Sequence, residues 1–319
     1  MITFSGTGSH GSIDGTGTDA SFYLPRGLVS DGERLFVADT YNHMIRQIDL
    51  GSGDVSTLAG DGSSGNSDGT GTGASFYYPF SLTTDGNYLY IADKNNHLIR
   101  RVNFKTREVI TFAGTGSSGS ADGIGTGASL ASPLAITTDG AFLYVTEGGY
   151  HLIRKINLTT REVVTLAGTG SSGFDDGTGT GASFHGSCGI ATDGDYLYVA
   201  DTENNTIRMV DKTTGEVTTI AGTGSSGNNN GFGISASFSQ PRGIVSDGSY
   251  LYISDTSNKL VRKIDLTTME VTTLAGSGSS GSSDGNGINA SFAFPRDITT
   301  DGNALYLADR DYSLIRKIE

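Results

Sequence analysis

The chain has 319 residues, 48 of them glycine, with 14 tyrosines, 14 phenylalanines, no tryptophan and a formal charge of −13. That acidic balance repels phosphate backbones and excludes nucleic acid as an expected partner. No apolar run approaches the roughly 18 residues that a membrane-spanning helix needs, and a lone cysteine, Cys188, rules out an internal disulfide.

The first element, "MITF" (1–4), reads as a short strand, and "GTGSHG" (6–11) follows it with the spacing G-x-G-x-x-G. A dinucleotide-binding turn with that spacing opens a helix and is followed about 20 residues later by an acid. Here small residues follow instead, and the string returns at 60–65, 114–119, 168–173, 222–227 and 276–281. The stretch therefore belongs to a repeat. Next come strand a, "GLVS" (27–30), a turn at Asp31, strand b, "RLFVAD" (34–39), and strand c, "MIRQIDL" (44–50). A hairpin then leads to strand d, seen clearly in a later copy as "VTTIAG" (217–222). The Asp-Gly turns at Asp31, Asp85, Asp139, Asp193, Asp247 and Asp301 recur every 54 residues.

Short β-branched and aromatic runs bounded by Gly, Asp and Asn are strand signals. Four antiparallel strands per unit, six units and no helical pattern predict an all-β, six-bladed β-propeller. The chain ends with "SLIRKIE" (313–319), a strand c, while "MITF" aligns with "VTTL" (271–274), a strand d. Blade six is therefore expected from 295–319 plus 1–6, with the N-terminal strand closing the last blade and 1–319 forming one domain. Because Met1 opens directly onto the repeat, any leader is expected to have been removed or to lie outside this stretch.

The segments "VADTYNHMIRQID" (37–49) and "IADKNNHLIRRVN" (91–103) resemble the NHL repeat, whose tripeptide stands here at Asn96, His97 and Leu98. The tripeptide is intact only in the second unit and becomes "NHM" (42–44), "YHL" (150–152), "NNT" (204–206), "NKL" (258–260) and "YSL" (312–314) elsewhere. The resemblance implies protein, RNA or small-ligand binding on one face of a six-bladed propeller. It also implies, for a minority of members, a lyase or hydrolase built around an axial metal.

Six copies permit an internal comparison: residues in every copy serve the scaffold, and departures near the axis are candidates for function. Arg46, Arg100, Arg154, Arg208, Arg262 and Arg316 recur on strand c, and Asp39, Asp93, Glu147, Asp201, Asp255 and Asp309 end strand b. His43, His97 and His151 sit on three adjacent blades, where equivalent atoms diverge too far to share a zinc with ligands at about 2.1 Å. The long d–a connection carries Asp14, Asp68, Asp122, Asp176 and Asp284, with Asn230 in the fifth copy, and ends in an apolar residue such as Phe76. It lacks the order of a calcium loop, so its acids are read as turn formers. Six such loops are expected to wall a funnel around the axis.

The breaks lie at the start of strand a, where the copies hold Arg26, Phe80, Leu134, Cys188, Arg242 and Arg296. Blades five, six and one are consecutive, so Arg26, Arg242 and Arg296 should form an arc suited to carboxylate or phosphate. The competing expectation pairs each arginine with a neighbouring acid such as Asp297. Opposite the arc, Tyr77, Tyr78 and Phe80 on blade two, with Tyr23 on blade one, offer stacking surfaces for sugars or peptides. In "FHGSCG" (184–189), His185 and Cys188 suggest a nucleophile or half a metal site, although no third partner is evident and a buried thiol is the plainer reading.

The expected function is non-enzymatic recognition of an anionic or polar ligand, peptide or glycan on the long-loop face. No cofactor, metal or catalytic residue is expected, the protein is read as a monomer, and its location as extracellular or periplasmic. The alternatives are an axial-metal lyase or hydrolase, for which only His185 and Asp297 are candidate ligands, and a tethering domain of a larger secreted protein.

Overall fold

In the computed structural model, which describes residues 1–319, the short strands assemble into six antiparallel sheets around a central axis, with no α-helix. Blade two shows the plan: strand a is Pro79–Thr84, b is Tyr88–Asp93, c is Leu98–Asn103 and d is Glu108–Ala113, ordered from axis to rim. In blade six, strands a (Pro295–Thr300), b (Leu305–Asp309) and c (Leu314–Ile318) are completed by Ile2–Ser5, with Ile2 opposite Lys317 and Thr3 opposite Arg316. The N-terminal strand thus covers an edge that would otherwise be open to pairing.

Five of the six sheets hold a fifth strand that the repeat pattern did not suggest. In blade two it is Gly69–Thr70, which pairs with Glu108 and Val109 on the outer edge of strand d. Each d–a connection therefore leaves one blade, laps the rim of the next, and runs back inward to strand a. The expected funnel of loops is corrected by this path: the connections are straps at the rim, and only their inner ends reach the axis. Phe76, fully buried between blades one and two among Phe36, Leu82 and Ile91, pins the returning strap.

A buried arginine fixes each strap. Arg100, with no solvent exposure, donates from Nη1 to Asp93 Oδ2 at 3.1 Å and to the Ser75 carbonyl at 3.0 Å. Its Nη2 donates to the Ser67 carbonyl at 3.0 Å and to Asp68 Oδ1 at 2.8 Å. Asp93 in turn accepts from the Tyr77 N–H and the Asn96 side chain. The strap acids read as turn formers are thus arginine partners, and Asn230 keeps the same place beside Arg262 at 2.9 Å. A bulge beside the arginine, between Ile99 and Arg100, recurs in the other blades and bends strand c against d.

The turn histidines link blades. His43, His97 and His151 are left-handed, and their Nδ1 atoms accept the N–H of Tyr78, Ser132 and Gly186 on the next blade at 3.0–3.2 Å. Asn205 and Ser313 supply the same acceptor to Gln240 and Leu24. Lys259 has no acceptor to give, and the corresponding Phe294 N–H turns to Asp309 instead, at 2.8 Å. Phe294 alone at this position avoids the positive φ of its five counterparts. No helix is long and apolar enough to cross a membrane.

Two outcomes test this architecture. Deleting Met1–Phe4 should lower the melting temperature and promote self-association by exposing Leu314–Ile318; an unchanged melting curve and a clean monomer in light scattering would reject the closure. Arg100→Ala leaves Asp93 buried without its cation and should cost about 3–5 kcal/mol in chemical denaturation, the range for breaking a buried ion pair.

Candidate functional site

The six inner strands approach one another most closely where strand a begins. The axial position is Gly27, Ser81, Ala135, Gly189, Gly243 and Asp297 in successive blades. A Cβ on Gly27 would stand 2.7 Å from the Phe80 carbonyl oxygen and 2.7 Å from the Ser81 Cα, so glycine is required there for the two blades to meet this closely. The space in the neck itself is about 10 Å³. Below it lies an axial channel of about 110 Å³, lined by residues such as Leu82, Ile136, Ile298, Thr83 and Thr137. Above it opens a mouth of about 470 Å³.

Three elements build the mouth: the starts of strand a, the b–c turns, and the inner ends of the straps. Arg26, Arg242 and Arg296 converge here, joined by Lys94 and Arg310 from the b–c turns. Arg310 pairs with its neighbour Asp311, but Arg26, Arg242, Arg296 and Lys94 take part in no ion pair. Arg296 is only 5% exposed and finds no hydrogen-bond acceptor in the protein. Two aromatic rings hold the cations by their faces. Phe80 lies 4.7 Å from the Arg26 guanidinium, 5.1 Å from that of Arg296 and 5.3 Å from the Lys94 amine. Phe294 lies 4.1 Å from Arg310 and 5.8 Å from both Arg242 and Arg296. Stacking on a ring face leaves the in-plane N–H groups of a guanidinium free to donate into the cavity.

The electrostatics follow from this crowding. Burial, then the neighbouring Arg26 and Arg242, hold the Arg296 guanidinium well below its ordinary value. Burial and Arg26 likewise pull Lys94 down, and burial with Arg310 pulls Arg26 down. Four like charges have been placed together with no carboxylate in ion-pair contact with any of them, in a protein of net charge −13.

Arg26, Arg242 and Arg296 are brought together as the repeat comparison anticipated, and Phe80 and Cys188 line the same cavity. The expected pairing of arginines with acids is absent: Asp297 accepts the Leu28 N–H at 3.1 Å and its own following N–H at 3.0 Å, tying blade six to blade one at the neck. Phe80 is not opposite the arc but among its arginines. Tyr77 and Tyr78 lie outside the cavity, packed on His43 and, for Tyr78, on Tyr41. His185 and Cys188 do not form a pair. The Gly186 turn (φ +65°) separates them, so His185 packs edge-on against His151 at 5.5 Å while the Cys188 thiol contacts the Gly186 carbonyl and Arg242 Nη1 at 3.3 Å.

Lys94, Arg310, Phe294 and Glu203 were not anticipated. A signal existed for the two cations: the residue after strand b is Thr40, Lys94, Gly148, Thr202, Thr256 or Arg310, and blades two and six depart from the small residues found elsewhere. Nowhere do three or more His, Cys, Asp or Glu side chains converge as a metal would require, and the cations of the mouth oppose a divalent ion.

Asp297 carries a pH signature. Burial pushes its carboxyl up from 3.8 to about 7, against the pull of the Leu28 and Ile298 N–H groups and Arg296. A value raised on folding means that the protonated form favours the fold. The contribution is complete below about pH 4 and is lost as pH rises through about 7. Asp297→Asn should therefore flatten the fall in melting temperature between pH 4 and 7; a variant that keeps the native slope would refute this assignment.

Comparison with known proteins agrees with the fold. Residues 81–99 and 186–211 match the model of the LVIVD repeat. The chain is 30% identical over 307 residues to the SUPPRESSOR OF QUENCHING 1 protein of Arabidopsis thaliana, covering 90% of this chain and 29% of that protein. It is 30% identical over 301 residues to NHL repeat-containing protein 2 of Bos taurus, covering 82% of this chain and 41% of that one. The chain thus spans less than half the length of these relatives. Its fold is similar to that of an auxiliary nutrient binding protein from Bacteroides thetaiotaomicron, with a TM-score of 0.75 and 20% identity over 100% of this chain and 75% of that one. With six blades sharing one strand order, a b–c turn and strand c that carry the Asn-His-Leu position and its arginine, and these relatives, the chain belongs to the NHL-repeat β-propeller family.

Proposed function

We propose that this propeller is a non-enzymatic binding module that captures a small anionic ligand in its axial mouth. One observation carries the reading: Arg296 is almost wholly buried, beside Arg26 and Arg242, and forms no ion pair or hydrogen bond with any acid of the protein. A buried unpaired charge costs several kcal/mol, and a ligand carboxylate or phosphate would supply the missing partner. The mouth falls within the size range of small-molecule sites. The similarity to an auxiliary nutrient binding protein supports a binding role. A monomer acting in an extracellular or periplasmic setting is part of the same reading.

The test is calorimetry and thermal shift with inorganic phosphate, sulfate and citrate. Charge-assisted bonds contribute about 1.5–3 kcal/mol each, so Arg26→Gln and Arg242→Gln should each weaken binding about tenfold or more. Arg296→Met should abolish the anion-induced rise in melting temperature while raising the melting temperature without anion, because it removes an unpaired buried charge. Bound anion should also protect Cys188, the only cysteine, from iodoacetamide. Loss of stability in all three variants with an unchanged response to anions would assign the arginines to the scaffold and overturn the proposal.

A further inference from the structure

Resting on that reading, we infer that the mouth takes a two-ended small molecule, with an anionic head on the arginine arc and a hydroxyl- or ammonium-bearing tail on Glu203. The wall of the cavity is electrically lopsided. Blades five, six, one and two supply Arg242, Arg296, Arg310, Arg26 and Lys94, whereas blades three and four supply no cation. The facing wall is low and largely backbone. Gly148 and Gly149 lie down on Leu134 and Ala131, where an added Cβ would come within 2.8 Å of Leu134 Cδ1 and 2.7 Å of Ala131 Cβ.

Out of this low wall rises one carboxylate. Glu203 is the only acid lining the mouth, yet it lies within ion-pair distance of none of the five cations. Its only side-chain partner is the Gln240 amide, at 3.3 and 3.5 Å. Arg310 takes its neighbour Asp311 instead, at 2.5 Å. Glu203 therefore forms no ion pair with the arc, and beyond the Gln240 amide its solvent-exposed oxygens have no partner in the protein.

The backbone beneath makes room for it. In the other five blades the residue corresponding to Gly186 is Leu24, Tyr78, Ser132, Gln240 or Phe294. Only blade four has glycine there, and a Cβ at Gly186 would meet Glu203 Cγ at 3.0 Å. The glycine leaves room for the methylene stem that carries this carboxylate. An inorganic anion on the arc would fill one end of a 470 Å³ cavity and leave the Glu203 end wet. A carboxylate accepts hydrogen bonds only, so the complement to it is a donor: hydroxyl groups, as on a sugar phosphate, or an ammonium, as on a phosphorylated amine.

The two sources are separated by titrating the intact protein with inorganic phosphate, propyl phosphate, glycerol phosphate and phosphoethanolamine. At least one donor-bearing phosphate should bind tenfold or more tightly than propyl phosphate, and the tighter of the two names the tail. Glu203→Gln should erase that advantage, leaving inorganic phosphate within twofold of the native affinity and the melting temperature unchanged. Equal affinities for all three substituted phosphates, or an equal loss for inorganic phosphate in the variant, would overturn the two-ended ligand while leaving the arginine arc intact. No binding of any phosphate would overturn both readings.

Discussion

The buried strand c arginine is the contact on which the rest of this propeller depends. A two-residue strand such as Gly69–Thr70 is too short to hold itself on a sheet edge. It stays because Arg100 reaches across from strand c and binds both ends of the strap, at the Ser67 and Ser75 carbonyls and at Asp68. The same guanidinium is anchored on Asp93, which also organises the b–c turn through Tyr77 and Asn96. One side chain per blade thereby couples strand, turn and strap, and the strap couples each blade to its predecessor.

Set beside those six arginines, the three at the mouth are their chemical opposites. Each scaffold guanidinium has acceptors on both terminal nitrogens, as with Arg208, whose Nη atoms donate to Asp201, Asp176 and the Ser183 and Asp175 carbonyls. Arg296 is nearly as hidden, at 5% exposure, but has aromatic faces and no acceptor oxygens around it. Part of that arrangement comes from a missing acceptor one blade earlier. Lys259 cannot take the Phe294 N–H as its histidine, asparagine and serine counterparts do, so the Phe294 backbone turns to Asp309 and leaves the left-handed region. Its ring stands among Arg242, Arg296 and Arg310. A loss of symmetry at a structural link thus accompanies the cationic lining of the mouth.

Much of the fold was legible because its period is written in side chains: Asp-Gly turns, alternating strands and the Arg–Asp pair all repeat in register. The convergence of Arg26, Arg242 and Arg296 was legible too, since equivalent positions on consecutive blades must lie close where the blades meet. What stayed hidden depends on radial position, which spacing does not encode. The glycine-rich connection gave no sign that it would cross to the next blade, because two residues of pairing leave no pattern. Phe80 was set opposite the arc on blade order alone, although a long ring at the axis reaches across the small bore. His185 and Cys188, three residues apart, were separated by the single left-handed turn at Gly186. Lys94, Arg310 and Glu203 sit on a different element from the arginines, so comparing strand starts alone passed over them.

The glycine neck bears on how anything could use this mouth. Its 10 Å³ is about the room of one water molecule, and the blades already touch around it, since a Cβ on Gly27 or Gly243 would strike the main chain of the next blade. The axis is therefore a blind cup and not a conduit. Whatever enters must leave by the way it came, so occupancy is governed by a single doorway, and nothing larger than a water molecule can be handed through the propeller from one face to the other.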